Sequence, residues 1–105
     1  MTVYAIAQLR IHDRAPYERY AAAFMPVLRQ YGGRLVVADG KPEVAEGDWD
    51  GNRVVVLAFE DRDAFSTWAN SPEYKAIVKD RWDAAETTIL LVRGSGLTQT
   101  RRITG

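Results

Sequence analysis

The chain has no cysteine, which excludes disulfides, thiolate nucleophiles and Cys-based zinc sites together. Nothing in it calls for an oxidising compartment. His12 is its one histidine, so no protomer can build a two-histidine metal site. A charge excess of either sign is also missing. Fourteen Lys and Arg balance fourteen Asp and Glu, leaving no overall positive field to hold nucleic acid or an anionic membrane by counterion release. No apolar run approaches the ~20 residues of a membrane-spanning helix. The stretch from Met1 to Leu9 lacks the basic start, long apolar segment and small-residue cleavage site of a signal peptide. The expectation is a cytoplasmic protein with no nucleic-acid partner and no membrane association. No serine sits in a nucleophile elbow, and no Gly-rich loop leads from a strand into a helix with phosphate-binding spacing. Triad hydrolysis and nucleotide binding are therefore poorly supported.

Apolar side chains make up 47% of the 105 residues, enough for one domain with one core and too few for two. Val3 to Arg10 has strand composition. Asp13 then offers an N-cap, and Pro16 falls inside the first helical turn, where a missing N–H is harmless. Tyr17, Tyr20, Ala21, Phe24, Val27, Leu28 and Tyr31 recur at steps of three and four, one core-facing helical stripe. Pro26 interrupts the hydrogen-bond ladder, which predicts a bend near Ala22 or a break into two segments. Gly32 and Gly33 end the helix. Gly33 to Ala38 and Arg53 to Phe59 read as strands joined by a long polar hairpin. Asp61 or Asp63 caps a second helix carrying Phe65, Trp68 and Ala69, and Ser71, Pro72 and Glu73 restart it. Tyr74, Ile77, Val78, Arg81 and Trp82 continue its inward stripe. Thr87 to Val92 is the last strand, and a polar tail follows Gly94.

Strand, helix, strand, strand, helix, strand is the split βαβ order of a ferredoxin-like α+β fold: a four-stranded antiparallel sheet with two helices on one face. The domain spans residues 1–94 and the tail residues 95–105. A sheet with one wet face alternates apolar and polar residues, yet Val54 to Phe59 and Ile89 to Val92 do not alternate. Both faces are meant to be buried. A second copy of the same sheet is the simplest cover, since the tail offers only Leu97 and Ile103 as apolar alternatives. The predicted partner is the chain itself, as a homodimer.

Glu43, Glu46, Asp48 and Asp50 place four carboxylates within eight positions of the hairpin, beside Trp49. Asp48, Asp50 and Asn52 match the first ligands of a calcium loop. Its glycine and its closing glutamate are replaced by Arg53 and Phe59, so no metal is predicted. Local turn preference accounts for much of this acidic cluster. His12, beside Asp13, has the chemistry of a general base oriented by a carboxylate, although a loop histidine is more often solvated. Arg34, Arg53 and Arg81, set among apolar residues, need acceptors for their donor forks. Ion pairs to Glu43, Glu46, Asp48 or Glu73 that tie the hairpin to the second helix are the first reading. Capture of a substrate carboxylate is the second. Tyr20, Tyr31, Trp68 and Trp82 read as core.

The ordered set Tyr31-Gly32-Gly33-Arg34, Gly40, Glu43, Glu46-Gly47-Asp48-Trp49, Ser71-Pro72-Glu73-Tyr74 and Arg81 resembles the family known as domain of unknown function 1330, a branch of the dimeric α+β barrel superfamily. The likeness covers roughly residues 2 to 94. It implies the ferredoxin-like fold and a face-to-face dimer, without an assigned activity. Wider relatives include cofactor-independent monooxygenases, muconolactone-type isomerases and haem enzymes, all using a cavity between sheet and helices or near the dimer barrel. Asp63 to Ala85 contains no histidine to ligate haem, and no cofactor is expected. The resemblance points to a binder of a small organic molecule, or a cofactor-independent isomerase, lyase or monooxygenase, acting near the hairpin and second helix. Glu46, His12 and Tyr74 are the candidate catalytic groups, and Asp48, Trp49, Arg53 and Arg81 the candidate ligand-binding groups. The alternative is a non-catalytic dimeric structural or regulatory module whose arginines are structural ties.

Overall fold

The computed structural model describes residues 1–95. Its elements are β1 (Val3–Ile11), α1 (Arg14–Gln30), β2 (Arg34–Asp39), β3 (Arg53–Phe59), α2 (Arg62–Ala69), α3 (Pro72–Ala84) and β4 (Ala85–Arg93). The strands form one antiparallel sheet in the order β2-β3-β1-β4. The tail predicted over residues 95–105 lies outside the described residues except for Ser95. No helix of the described chain is long and apolar enough to cross a membrane.

Two helices are corrected to three, because the second helical segment is divided at Asn70 and Ser71. Asp61 is the N-cap of α2 and accepts from the Ala64 N–H at 2.8 Å. Ser71 caps α3 by accepting from the Tyr74 N–H, and its own hydroxyl donates to the Trp68 carbonyl at 2.7 Å. Pro72 then occupies the first turn, where it has no bond to lose but cannot donate back into α2. Helix α1 is not divided at Pro26: it runs unbroken from Arg14 to Gln30, so the expected break into two segments does not occur. The proline forfeits one backbone bond, while Phe24 and Leu28 on either side are buried and anchor both halves in the core. Asp13 occupies the N-cap position of α1, but its side chain makes no capping bond. Instead the His12 and Asp13 amides both donate to the Ala84 carbonyl, tying the start of α1 to the end of α3.

The two glycines after α1 serve different ends. Gly32 takes φ +77°, the left-handed conformation that closes a helix. Gly33 is a close approach: a Cβ there would stand 2.3 Å from Cδ1 of Leu28 and 2.8 Å from Cε1 of Phe59. Strand β1 gains its last pairing from a side chain. The Asn52 amide accepts from the Ile11 N–H and donates to the Ile11 carbonyl, at 2.8 and 2.9 Å, so it imitates one more residue of β3.

Alternation assigns the sheet faces. Ala5 and Leu9 of β1 and Leu57 and Phe59 of β3 join Tyr17, Tyr20, Phe24 and Leu28 of α1, Trp68 of α2 and Tyr74 and Val78 of α3 in one buried cluster. All three helices therefore cover the same face. Trp68 is the hub, with the rings of Phe24, Phe59, Phe65 and Tyr74 at centroid distances of 6.0, 5.3, 5.9 and 4.1 Å. Trp82 does not join the core. It is 63% exposed, because α3 buries only the stripe through Tyr74 and Val78 against its neighbours.

The opposite face is uncovered in the single chain. Register aligns Val37, Val56, Ile6 and Leu90 in one row across all four strands, with Tyr4 and Val92 in the next row. Val37 and Leu90 are exposed, and so is Val36 at the β2 irregularity between Leu35 and Val37.

Candidate functional site

Small residues on the helix-covered face leave a gap under the helices. The row Ala38, Val55, Ala7, Ile89 carries two alanines, where its neighbour Leu35, Leu57, Ala5, Leu91 carries one. Above this floor α1 contributes Tyr17, Tyr20 and Phe24, at spacings that share a helix face, while α2 and α3 contribute Phe65, Trp68, Tyr74 and Arg81. The cavity is partly open to solvent, measures about 160 Å³ and is lined mainly by apolar atoms. An engineered apolar cavity of about 150 Å³ accommodates benzene.

The polar groups in this cavity are few and distinctive. The Tyr20 and Tyr74 hydroxyls lie 2.7 Å apart, both residues buried. Burial drives the Tyr20 phenol far above its ordinary range and the Tyr74 hydroxyl adds to this, against a smaller opposing pull from Arg81. Tyr20 is therefore a neutral O–H donor at any physiological pH. The Arg53 guanidinium stands over the Tyr17 ring, 5.7 Å from its centroid, and that of Arg81 over Tyr20 at 5.8 Å. The two rings are neighbours, 5.9 Å apart. Gly40 leaves room for this arrangement, since a Cβ there would stand 2.9 Å from Nη1 of Arg53. Buried and without hydrogen-bond partners are Nε of Arg53, Nε of Arg81 and the indole N–H of Trp68. Among the described residues, no carboxylate and no histidine lines the cavity.

The ion pairs expected for the arginines do not form. Among the described residues the ion pairs are those of Arg10 with Asp50 and Glu86, and of Arg19 with Asp80. The reason lies in which side of the sheet the hairpin favours. The Trp49 indole N–H donates to Oε1 of Gln8 at 3.3 Å, and Gln8 faces away from the helices by alternation with Leu9. Gly51 accommodates the Trp49 ring, which would stand 2.2 Å from a Cβ at that position. Glu43, Glu46 and Asp48 are exposed, and His12 is exposed in the β1–α1 connection. Of the seven residues singled out from sequence, Tyr74, Arg53 and Arg81 come together in the cavity. Glu46, Asp48, Trp49 and His12 do not line it. Tyr17, Tyr20 and Trp68 belong to the site as well as to the core. The legible signal was a phenol at Tyr17 and Tyr20 and an indole at Trp68, core-facing helical positions whose polar atoms each need a partner.

Glu73 is engaged elsewhere. It accepts from the Tyr31 hydroxyl at 2.6 Å and from Nε2 of Gln30 at 3.2 Å, joining the end of α1 to the start of α3. The Tyr31 hydrogen bond is the main cause that lowers the Glu73 carboxyl, and the same bond raises the Tyr31 phenol. A lowered carboxyl stabilises the fold above its unfolded pKa, and that contribution is lost as pH falls through the folded value. A raised phenol stabilises below its unfolded pKa, and its contribution is lost as pH rises through the folded value. Tyr31→Phe should therefore flatten both the acid and the alkaline limb of a Tm-against-pH profile. An unchanged profile would show that the bond does not persist in solution. Among the described residues no group of three or more His, Asp or Glu side chains is placed to hold a metal ion.

A four-stranded antiparallel sheet under three helices, with a cavity between the layers, defines an α+β protein of ferredoxin-like type. The chain belongs to the family described as domain of unknown function (DUF1330), whose model matches residues 2–95. No curated protein matches it by sequence. Among solved structures it is similar to a protein of unknown function from Rhodopseudomonas palustris, with TM-score 0.76, 19% identity, and 89% of this chain and 82% of that chain covered. It is similar to a dimeric ferredoxin-like protein of unknown function from Jannaschia sp. CCS1, with TM-score 0.67, 11% identity, and 90% and 100% covered. It is also similar to SnoaB, a cofactor-independent oxygenase from Streptomyces nogalater, with TM-score 0.59, 17% identity, and 89% and 92% covered. At these identities the likeness establishes the fold alone.

Proposed function

We propose that the protein is a homodimer in which each protomer holds a small organic molecule in the cavity between the sheet and the helices. Arg53, Arg81, Tyr74 and Tyr20 are the groups that engage it. The observation that carries this reading is a largely apolar cavity, about 160 Å³ in size, into which a few polar groups converge, the ordinary form of a small-molecule site. Cations and neutral phenols suit reactions whose transition state gathers negative charge on the substrate, such as isomerisation through an enolate or cofactor-independent oxygenation, with the proton lost by the substrate passing to solvent water because no carboxylate or histidine among the described residues lines the cavity. The likeness to a cofactor-independent oxygenase fits that class. Glu46 and His12, as candidate bases, would need an approach to the cavity that their exposed positions do not provide. The rival reading, a non-catalytic dimeric structural or regulatory module, lacks the ion pairs to Arg53 and Arg81 it called for among the described residues.

Native mass spectrometry of the gently purified chain tests the proposal. The expected result is a dimer that releases one small molecule per protomer on collisional activation. Ala7→Phe, which fills the cavity floor, should abolish the bound molecule and leave the dimer. A clean, unliganded dimer from both proteins would sink the ligand reading, and a persistent monomer would sink the assembly.

A further inference from the structure

The cavity is polarised along its length. Arg53 pairs in register with Leu9, close to the end of β1. Arg81 lies one helical turn before Ala84, whose carbonyl binds the His12 and Asp13 amides at that same end. Both guanidiniums thus belong to the end of the molecule where β1 passes into α1. Phe59, which carries Phe65 and Trp68 on its ring, pairs with Val3 at the opposite end of the sheet. One end is cationic and the other aromatic.

Each arginine is packed on a tyrosine ring, has a buried Nε without a hydrogen-bond partner and forms no ion pair among the described residues. Two such cations lining one cavity repel each other, and a buried N–H without an acceptor is costly to hold. An anion entering from solvent relieves both. A planar guanidinium fork matches a carboxylate in shape, and the nearby Tyr20 and Tyr74 hydroxyls offer further hydrogen bonds. The size of the cavity admits about one six-membered ring or a short chain beside the head group.

We infer that the ligand of this cavity is a small carboxylic acid with an aromatic or short aliphatic body, its carboxylate held by Arg53 and Arg81 and its apolar part directed toward Phe65 and Trp68. This rests on the cavity reading above and narrows it to one ligand class. The acid binds as its anion, because two guanidiniums with no lining carboxylate lower the proton affinity of any acid placed beside them.

Benzoate and its uncharged analogue benzamide are the probes, titrated calorimetrically into the full chain at low salt. Benzoate should bind at one site per protomer, at least about tenfold more tightly than benzamide. Arg53→Gln and Arg81→Gln should each weaken benzoate by about tenfold or more while changing benzamide little. Arg81→Lys should retain part of the preference, which also serves if the glutamine variant melts too low to titrate. Ala7→Phe should abolish binding of both probes. Equal affinity for the two probes, both blocked by Ala7→Phe, would overturn the carboxylate assignment and leave the cavity standing. Benzoate binding that survives Ala7→Phe would overturn the assignment and the cavity together. Preference for phenyl phosphate over benzoate would replace the carboxylate with a phosphate, and absence of benzoate binding would refute the inference outright.

Discussion

Phe59→Ala is expected to destabilise the protein by about 3–5 kcal/mol, the usual loss for a fully buried phenylalanine. Phe59 is 1% exposed and, with Leu28, is one of the two largest side chains completely enclosed in the described chain. Its ring packs edge-on to Phe65 at 5.5 Å and tilted against Trp68 at 5.3 Å. The Gly33 backbone presses close enough that a Cβ there would stand 2.8 Å from the Phe59 ring. These neighbours come from α2 and from the α1–β2 connection, so collapse around the void would have to move two connections at once. The truncation therefore leaves a cavity, and the loss falls toward the upper part of the range. Set against a typical total stability of about 5–15 kcal/mol, it removes a large share. Phe65→Ala, at a half-buried position, should lose clearly less. Urea unfolding at fixed protomer concentration measures both. A Phe59→Ala loss below about 1 kcal/mol would mean that the aromatic cluster is not the core of the fold.

Which parts of this architecture were readable from the chain depends on whether local chemistry decides them. Caps and breaks are local. Ser71-Pro72-Glu73 and Asp61 prescribe helix starts with their own side chains, and those starts lie where the residues indicate. The persistence of α1 through Pro26 is not local, because burial of Phe24 and Leu28 outweighs one missing bond. Trp82 follows Val78 by four positions and seemed to extend the inward stripe. Whether a stripe is wide enough to include it depends on how many elements pack against α3, which no local spacing reports.

The candidate site divides in the same way. Arg53 stands two and four positions before Val55 and Leu57, so parity alone puts it on the helix-covered face. Tyr74 and Arg81 share one face of α3 by helical spacing. The acidic hairpin drew attention by composition, yet which side of the sheet it favours is a long-range matter, resolved here by Trp49 bonding to Gln8. That side also decides the chemistry of the arginines. With the carboxylates held away from the cavity, two half-buried cations lack, among the described residues, the ion-pair partners that sequence spacing had offered them.

Ile6→Asp is expected to convert the proposed dimer into a monomer. Ile6 sits in the central strand β1 between Val56 and Leu90, in the row that Val37 completes. A face-to-face copy would bury this row, and each such aliphatic side chain withdrawn from water contributes roughly 1.5–3 kcal/mol. A carboxylate at the centre loses that contribution and, in a two-fold assembly, is brought toward its own copy in a low-dielectric interface. A loss of several kcal/mol weakens association by more than about a hundredfold. Thr88→Asp, in the row with Gln8, Val54 and Asp39 where three of four side chains are polar, should weaken it much less. Native mass spectrometry across a dilution series distinguishes the two. An Ile6→Asp chain that stays dimeric would place the interface on another surface. The cavity adds a second readout, because its floor and roof come from a single protomer. Benzoate binding per folded chain should therefore survive loss of the dimer. If it disappears with the partner, sheet curvature imposed by the interface is what keeps the two alanine positions of the floor open beneath the helices.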